Sequence, residues 1–148
     1  MESCNHSCKI IAKIESSLGV KNLEEILSVC DGVMVARGDL GVEYEVSKLP
    51  SLQSKILQTA RDLRKISIVA TEMLESMITK LRPTRAEIVD VANAVFDGSS
   101  CVMLSGESAV GINPPNTIAT MAKIALEAEK NIDFQHSYRR NSAEMLSN

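Results

Sequence analysis

Lys13 and Glu15 stand two residues apart at the end of an apolar run, Lys9-Ile10-Ile11-Ala12-Lys13-Ile14-Glu15. Strand side chains alternate between faces, so this spacing points an ammonium and a carboxylate the same way. A second acid, Asp39, follows an equivalent run, Val33-Met34-Val35-Ala36, inside Arg37-Gly38-Asp39-Leu40-Gly41. Two carboxylates and a lysine converging on one rim suit a hard divalent cation and a substrate that gathers negative charge on oxygen. That is a site for enolate chemistry.

The elements that must position these groups follow from four short apolar runs at residues 9–14, 32–36, 66–70 and 101–104. Each is followed by apolar residues spaced three and four apart, the signature of one buried helix face. Leu23, Ile26, Leu27 and Cys30 form the first stripe, and Leu49, Leu52, Ile56, Leu57, Ala60 and Leu63 the second. Ile88, Val91, Ala92, Val95 and Phe96 form the third, and Ile118, Met121, Ala122, Ala125 and Ala128 the fourth. Thr84 and Glu87, just after Pro83, fit a capping box at the third helix. Pro114 and Pro115 suit the first turn of the fourth. Strand and helix alternating four times predict an α/β fold with a parallel sheet, because parallel strands need crossovers. Polar residues gather just after each strand, at Glu15, Gly38-Asp39, Thr71-Glu72 and Ser105-Gly106-Glu107. That is the carboxyl end, where parallel α/β folds build their sites.

Composition narrows the function classes. The chain has 148 residues, one ordinary domain, and its few aromatics leave an aliphatic core. A net charge of −3 without a dense basic run argues against nucleic acid as a partner. No apolar stretch approaches the roughly 20 residues of a membrane helix. Met1-Glu2-Ser3-Cys4 lacks the positive flank and apolar stretch of a signal peptide, so a cytoplasmic location is expected. Cys30 and Cys101 lie inside apolar patterns and are expected to act as small hydrophobes. Cys4-Asn5-His6-Ser7-Cys8 matches no common zinc spacing, and residues 1–8 read as a leader. From Asp133 the chain turns polar, through Tyr138-Arg139-Arg140-Asn141, and residues 133–148 read as a tail or the stub of a further domain.

Six runs, in order and at family spacing, closely resemble pyruvate kinase: Ala12-Lys13-Ile14-Glu15, Met34 to Gly41, Ala70 to Met77, Arg82 to Glu87, Asp90 to Val95, and Met103 to Glu107. The resemblance covers residues 9–132 and implies the fifth to eighth strands of a (β/α)8 scaffold, that is, an α/β fold forming the second half of a TIM barrel. A whole barrel takes about 250 residues. The implied reaction is phosphoryl transfer between phosphoenolpyruvate and ADP, giving pyruvate and ATP in glycolysis. On matching positions, Glu15 and Asp39 are the expected Mg2+ ligands, and Lys13 the group that stabilises the enolate oxygen and the phosphoryl group in flight. The Gly38 and Asp39 amides, with the Thr71 hydroxyl, are expected to hold the substrate carboxylate. Gly38 is expected to leave room for that approach. Ser105 is implicated in proton delivery, Arg85 in a subunit interface of a homo-oligomer (a tetramer in the family), and Arg37 in positioning the same loop.

Plainer readings stand beside these. Thr71 would serve equally as a helix cap, Ser105 as a structural hydrogen-bonding group, and Arg85 as a first-turn residue paired with a carboxylate. Met73, Leu74 and Met77 read as core. Two positions depart from the family pattern: Glu72, where a neutral residue is usual, and Leu18, where a polar one is. The first four strands, with the K+ site and much of the nucleotide pocket, have no counterpart in these residues; nor do the lid and carboxyl-terminal domains. Four strands alone would expose two edges and an inward layer of Ile11, Val35 and Val69 or their neighbours. The isolated chain is therefore expected to be inactive and prone to pair with itself. The rival readings are a magnesium-dependent lyase or aldolase of the phosphoenolpyruvate/pyruvate barrels, and a non-catalytic truncated remnant.

Overall fold

Strand pairing follows the apolar runs. The computed structural model describes residues 8–132. Strands β1 (Ile11–Ile14), β2 (Gly32–Ala36), β3 (Ile66–Ala70) and β4 (Cys101–Val102) form one sheet in the order β1-β2-β3-β4, every pair parallel. β4 is shorter than its apolar run, although the Met103 N–H still donates to the Val69 carbonyl at 2.9 Å. The helices are α1 (Ser17–Lys21), α2 (Leu23–Val29), α3 (Arg37–Glu43), α4 (Leu49–Asp62), α5 (Arg85–Phe96), α6 (Gly106–Ala109) and α7 (Pro114–Glu129). The Thr84–Glu87 capping box forms in full, and Pro114 and Pro115 open α7. Such a cap stabilises a helix by about 1 kcal/mol.

The alternation of the strands sorts their side chains. Val33, Val35 and Val69 are fully buried beneath the helices, with Ile14 beside them and Leu27, Ile56 and Leu57 packed above. Val35 and Val69 thus belong to the helix-covered core and not to the expected inward layer. Strand parity gives the other face to Ile11, Met34, Ile68 and Cys101, which are half-buried or exposed. The Cys101 thiol is accordingly exposed, unlike the buried Cys30. Gly32 lies at the centre of that open face. A Cβ there would come within 2.6 Å of the Ile66 carbonyl oxygen and 2.7 Å of Ile11 Cδ1, so the close packing of three strands requires glycine.

Two helical stripes shift from their expected faces. In α7 the buried positions are Thr117, Met121 and Ala128, while Ile118 and Ala122 face outward. In α5, Val91, Ala94 and Val95 are buried, but Ile88 and Phe96 are not. Leu63 lies past the end of α4 and is also exposed. Helices α5 and α7 pack against each other, and each keeps a second apolar face with no cover among the described residues. Met73, Leu74 and Met77 are core, as expected. Leu18 is exposed on α1. The leader (apart from Cys8, which is exposed) and the tail lie outside the described residues.

An uncovered apolar sheet face with unpaired outer edges favours association. Light scattering on the purified chain is expected to give a mass above its 16.1 kDa. A soluble, well-folded monomer would contradict that.

Candidate active site

Register brings the polar groups together. Ile14 pairs with Val35 and Ala36 with Ala70, so Glu15, Arg37 and Thr71 all emerge at one end of adjacent strands. Past β2 the chain turns directly into α3, which carries Asp39 in its first turn. Ser16 caps α1 through the Gly19 N–H at 3.2 Å, and the Ser17 N–H donates to Glu43 Oε2 at 2.6 Å. That bond ties the segment after Glu15 to the far end of the helix bearing Asp39. It holds the Glu43 carboxyl below its ordinary value.

Lys13 lies between the two acids. Its Nζ forms an ion pair with Glu15 Oε1 and stands 3.4 Å from Asp39 Oδ2. All three side chains are about half exposed. The Glu15 hydrogen bond raises the Lys13 pKa most; burial opposes it, and the bond to Asp39 adds to the rise. The three residues predicted to act together are therefore one cluster.

Thr71 follows β3 in an unusual conformation. Its φ is +72° and that of Glu72 is +53°. For a β-branched residue the left-handed region is a steric outlier, costing about 1–3 kcal/mol. Arg37 meets this pair directly. Its Nε and Nη2 donate to the Thr71 carbonyl at 3.2 and 2.6 Å, and Nη2 also donates to the Glu72 carbonyl at 3.1 Å. Nη1 donates to both oxygens of Asp90, at 2.8 and 2.6 Å. On the near side, the Gly38 N–H donates to Thr71 Oγ1 at 2.9 Å. Thr71 is thus neither a helix cap nor isolated; it joins the α3 segment. A Cβ at Gly38 would meet only Thr71, at 3.6 and 3.8 Å, so the fold itself leaves space at that position.

Ser105 is placed differently. It precedes α6 on the loop after β4, and its N–H donates to Glu107 Oε2 at 2.7 Å. Glu107 is fully buried and also accepts the Leu74 N–H at 3.1 Å, joining the loops after β3 and β4. Among the described residues no hydrogen bond links Ser105 to Lys13, Glu15 or Asp39, and its hydroxyl has no hydrogen-bond partner. Arg85 is the exposed first residue of α5 and makes no ion pair among the described residues. Asp90 escapes the sequence reading as a contributor, because its partner lies 53 residues away and no local spacing marks it. Glu107 belongs to the polar rim expected from the sequence, but its bond to Leu74, 33 residues away, has no local signal.

A sequence model of the family described as pyruvate kinase, barrel domain, matches residues 1–118. The chain belongs to the pyruvate kinase family. It is 53% identical over 132 residues to a pyruvate kinase of Clostridium perfringens, covering 89% of this chain and 28% of that protein. A pyruvate kinase of Chlamydia trachomatis is 49% identical over 132 residues, with 89% and 27% covered. The crystal structure of a pyruvate kinase from Cryptosporidium parvum matches with a TM-score of 0.90 at 47% identity, over 93% of this chain and 28% of that one. The chain thus spans a little over a quarter of these pyruvate kinases. Its four parallel strands alternating with helices are part of the pyruvate kinase barrel, and the family is one of phosphotransferase enzymes. The lyase or aldolase alternative is not favoured. Among the described residues, no helix is long and apolar enough to cross a membrane.

The raised Lys13 pKa has a definite sign. The folded state binds this proton more tightly than the unfolded one, so the contribution is complete below the ordinary lysine value of 10.5. It is lost as pH rises through the raised value. Acylation of Lys13 by an amine reagent is expected to lag that of the exposed Lys123 until pH passes the raised Lys13 value, above 10.5. Equal labelling at pH 9, read by mass spectrometry, would contradict the pairing.

Proposed function

We propose that residues 9–132 form the metal- and enolate-binding half of a pyruvate kinase site, acting in phosphoryl transfer from phosphoenolpyruvate to ADP. The observation that carries this reading is the Lys13 ammonium held between Glu15 and Asp39 at the carboxyl end of the sheet. In the forward direction the bond from phosphorus to the enol oxygen breaks, and one to a terminal oxygen of ADP forms. The enolate left behind takes a proton at its terminal carbon, giving pyruvate. Lys13 places a positive charge where the enol oxygen becomes an oxyanion.

The acids fit a magnesium ion. An ammonium already bridges them, so one cation can reach both. Magnesium commonly takes one or two protein carboxylates and completes its shell with water and substrate. Glu15 and Asp39 would hold the ion, which would supply further charge neutralisation at the substrate oxygens. The open space at Gly38 supports docking of the substrate carboxylate beside Thr71 on the Gly38 and Asp39 amides, the Gly38 N–H exchanging the Thr71 hydroxyl for the incoming carboxylate. The unpartnered Ser105 hydroxyl is available to a proton relay, through water, toward the enolate carbon. Arg85, exposed and unpaired among the described residues, is free to reach a neighbouring subunit of a homo-oligomer. We place the enzyme in the cytoplasm, with its K+ site in the portion of the barrel contributed by other residues.

Residues 9–132 can be tested in place of their counterparts in the Clostridium perfringens enzyme, with pyruvate formation followed by a coupled assay. Lys13→Met is expected to lower kcat by about 10²–10³-fold, the typical cost of losing one donor aimed at a developing oxyanion. Unchanged turnover would remove Lys13 from the chemistry. The purified 148-residue chain alone is expected to show none, since partial sets of catalytic groups lose far more than an additive share.

A further inference from the structure

Every nitrogen of the Arg37 guanidinium donates to an acceptor. Nη1 is shared between the two carboxylate oxygens of Asp90, Nε and Nη2 meet the Thr71 carbonyl, and Nη2 also meets the Glu72 carbonyl. Its side chain is only 13% exposed, while that of Asp90 is 38% exposed, so the Arg37 end of the network is the shielded one. The carbonyls it binds belong to the two consecutive residues with positive φ at the site. A peptide pair in that region turns its carbonyls to one side, and here they turn onto the guanidinium. The same turn sets Thr71 Oγ1 against the Gly38 N–H. Arg37 and Gly38 are neighbours in α3, so the helix grips Thr71 from both its carbonyl and its hydroxyl. Asp90 is the only group in this network from α5, and its carboxylate anchors the Nη1 end of the guanidinium by a charge-assisted bond shared between both oxygens.

We infer that Asp90 is a positioning residue for the substrate end of this site: through Arg37 it keeps Thr71 and Glu72 left-handed and so aims the Thr71 hydroxyl at the Gly38 amide. The inference rests on the function proposed above for Thr71 and Gly38. It makes α5 part of the machinery although no α5 side chain need touch substrate. It also accounts for Glu72 being tolerated in a residue pair with strained backbone. Its carbonyl is held while its exposed carboxylate points away from any partner among the described residues.

The test uses Asp90→Asn, which replaces one of the two carboxylate acceptors with a donor, and Asp90→Glu as the conservative variant. In the Clostridium perfringens enzyme carrying residues 9–132, Asp90→Asn is expected to raise the KM for phosphoenolpyruvate and lower kcat/KM for it by about 10²-fold, the scale of a 1 Å misplacement. The KM for ADP is expected to hold, and Asp90→Glu to recover part of the loss. Asp97→Asn serves as control, because that acid lies beyond the same helix and meets Gln53 and Ser54 instead. Equal losses for both substrates, or equal effects of the Asp97 and Asp90 variants, would reduce Asp90 to a structural role and overturn the inference. In the isotopically labelled 148-residue chain, HN–Hα couplings should show Thr71 leaving positive φ in Asp90→Asn; unchanged couplings would equally overturn it. A parent chimera without turnover would sink the proposed function and leave the couplings to decide the role of Asp90.

Discussion

Parallel register governs the rim. Because Ala36 sits opposite Ala70, the residues that leave β2 and β3 emerge at the same height, and Arg37 meets Thr71 without any long loop between them. Because Ile14 sits opposite Val35, Glu15 emerges one step lower on the adjacent strand, within reach of the helix that Arg37 begins. A slip of one residue would turn every side chain of a strand over. Lys13 would then face the helices, and Val33 and Val35 would leave the core. Burial of Ile14 on β1, and of Val33 and Val35 on β2, therefore enforces the charge cluster on the opposite face, and the apolar side of the sheet fixes its chemical side.

This coupling explains how much could be read from the sequence. The positions of β1, β2 and β3 followed from unbroken apolar runs, and the joint placement of Lys13, Glu15 and Asp39 followed from strand period and the carboxyl-end rule. The capping box at Thr84 was equally legible, since both of its bonds lie within three residues. What escaped were features with no local signal. The Arg37–Glu43 segment contains two glycines and reads as a loop, yet it is helical because Leu40 is drawn into the core. The left-handed Thr71 and Glu72 depend on an arginine 34 residues away. Faces of α5 and α7 were only partly legible: both helices are apolar on two sides, and periodicity alone does not say which side meets a neighbour.

The site divides into two halves held by different means. On one side, half-exposed ion pairs join Lys13 to Glu15 and Asp39; such pairs contribute little to folding, and their value lies in the charge they concentrate. On the other, shielded hydrogen bonds from Arg37 and to Glu107 fix backbone that would otherwise relax. Glu107 is the more demanding of these, because a fully buried carboxylate is tolerated only when its oxygens accept strong donors. Both of its oxygens do so.

The two-residue pairing of β4 gives the sheet an uneven seam. Opening begins where few backbone bonds hold an element, and the outermost strand has the shortest ladder of the four. A fluctuation that frees β4 acts first on the segment that leads to Ser105, while the Glu107 bond to Leu74 keeps the loop beyond it tied to the one after β3. Ser105 and the Lys13–Glu15 pair thus sit beside opposite edge strands of the sheet, one held by two paired positions and the other by four.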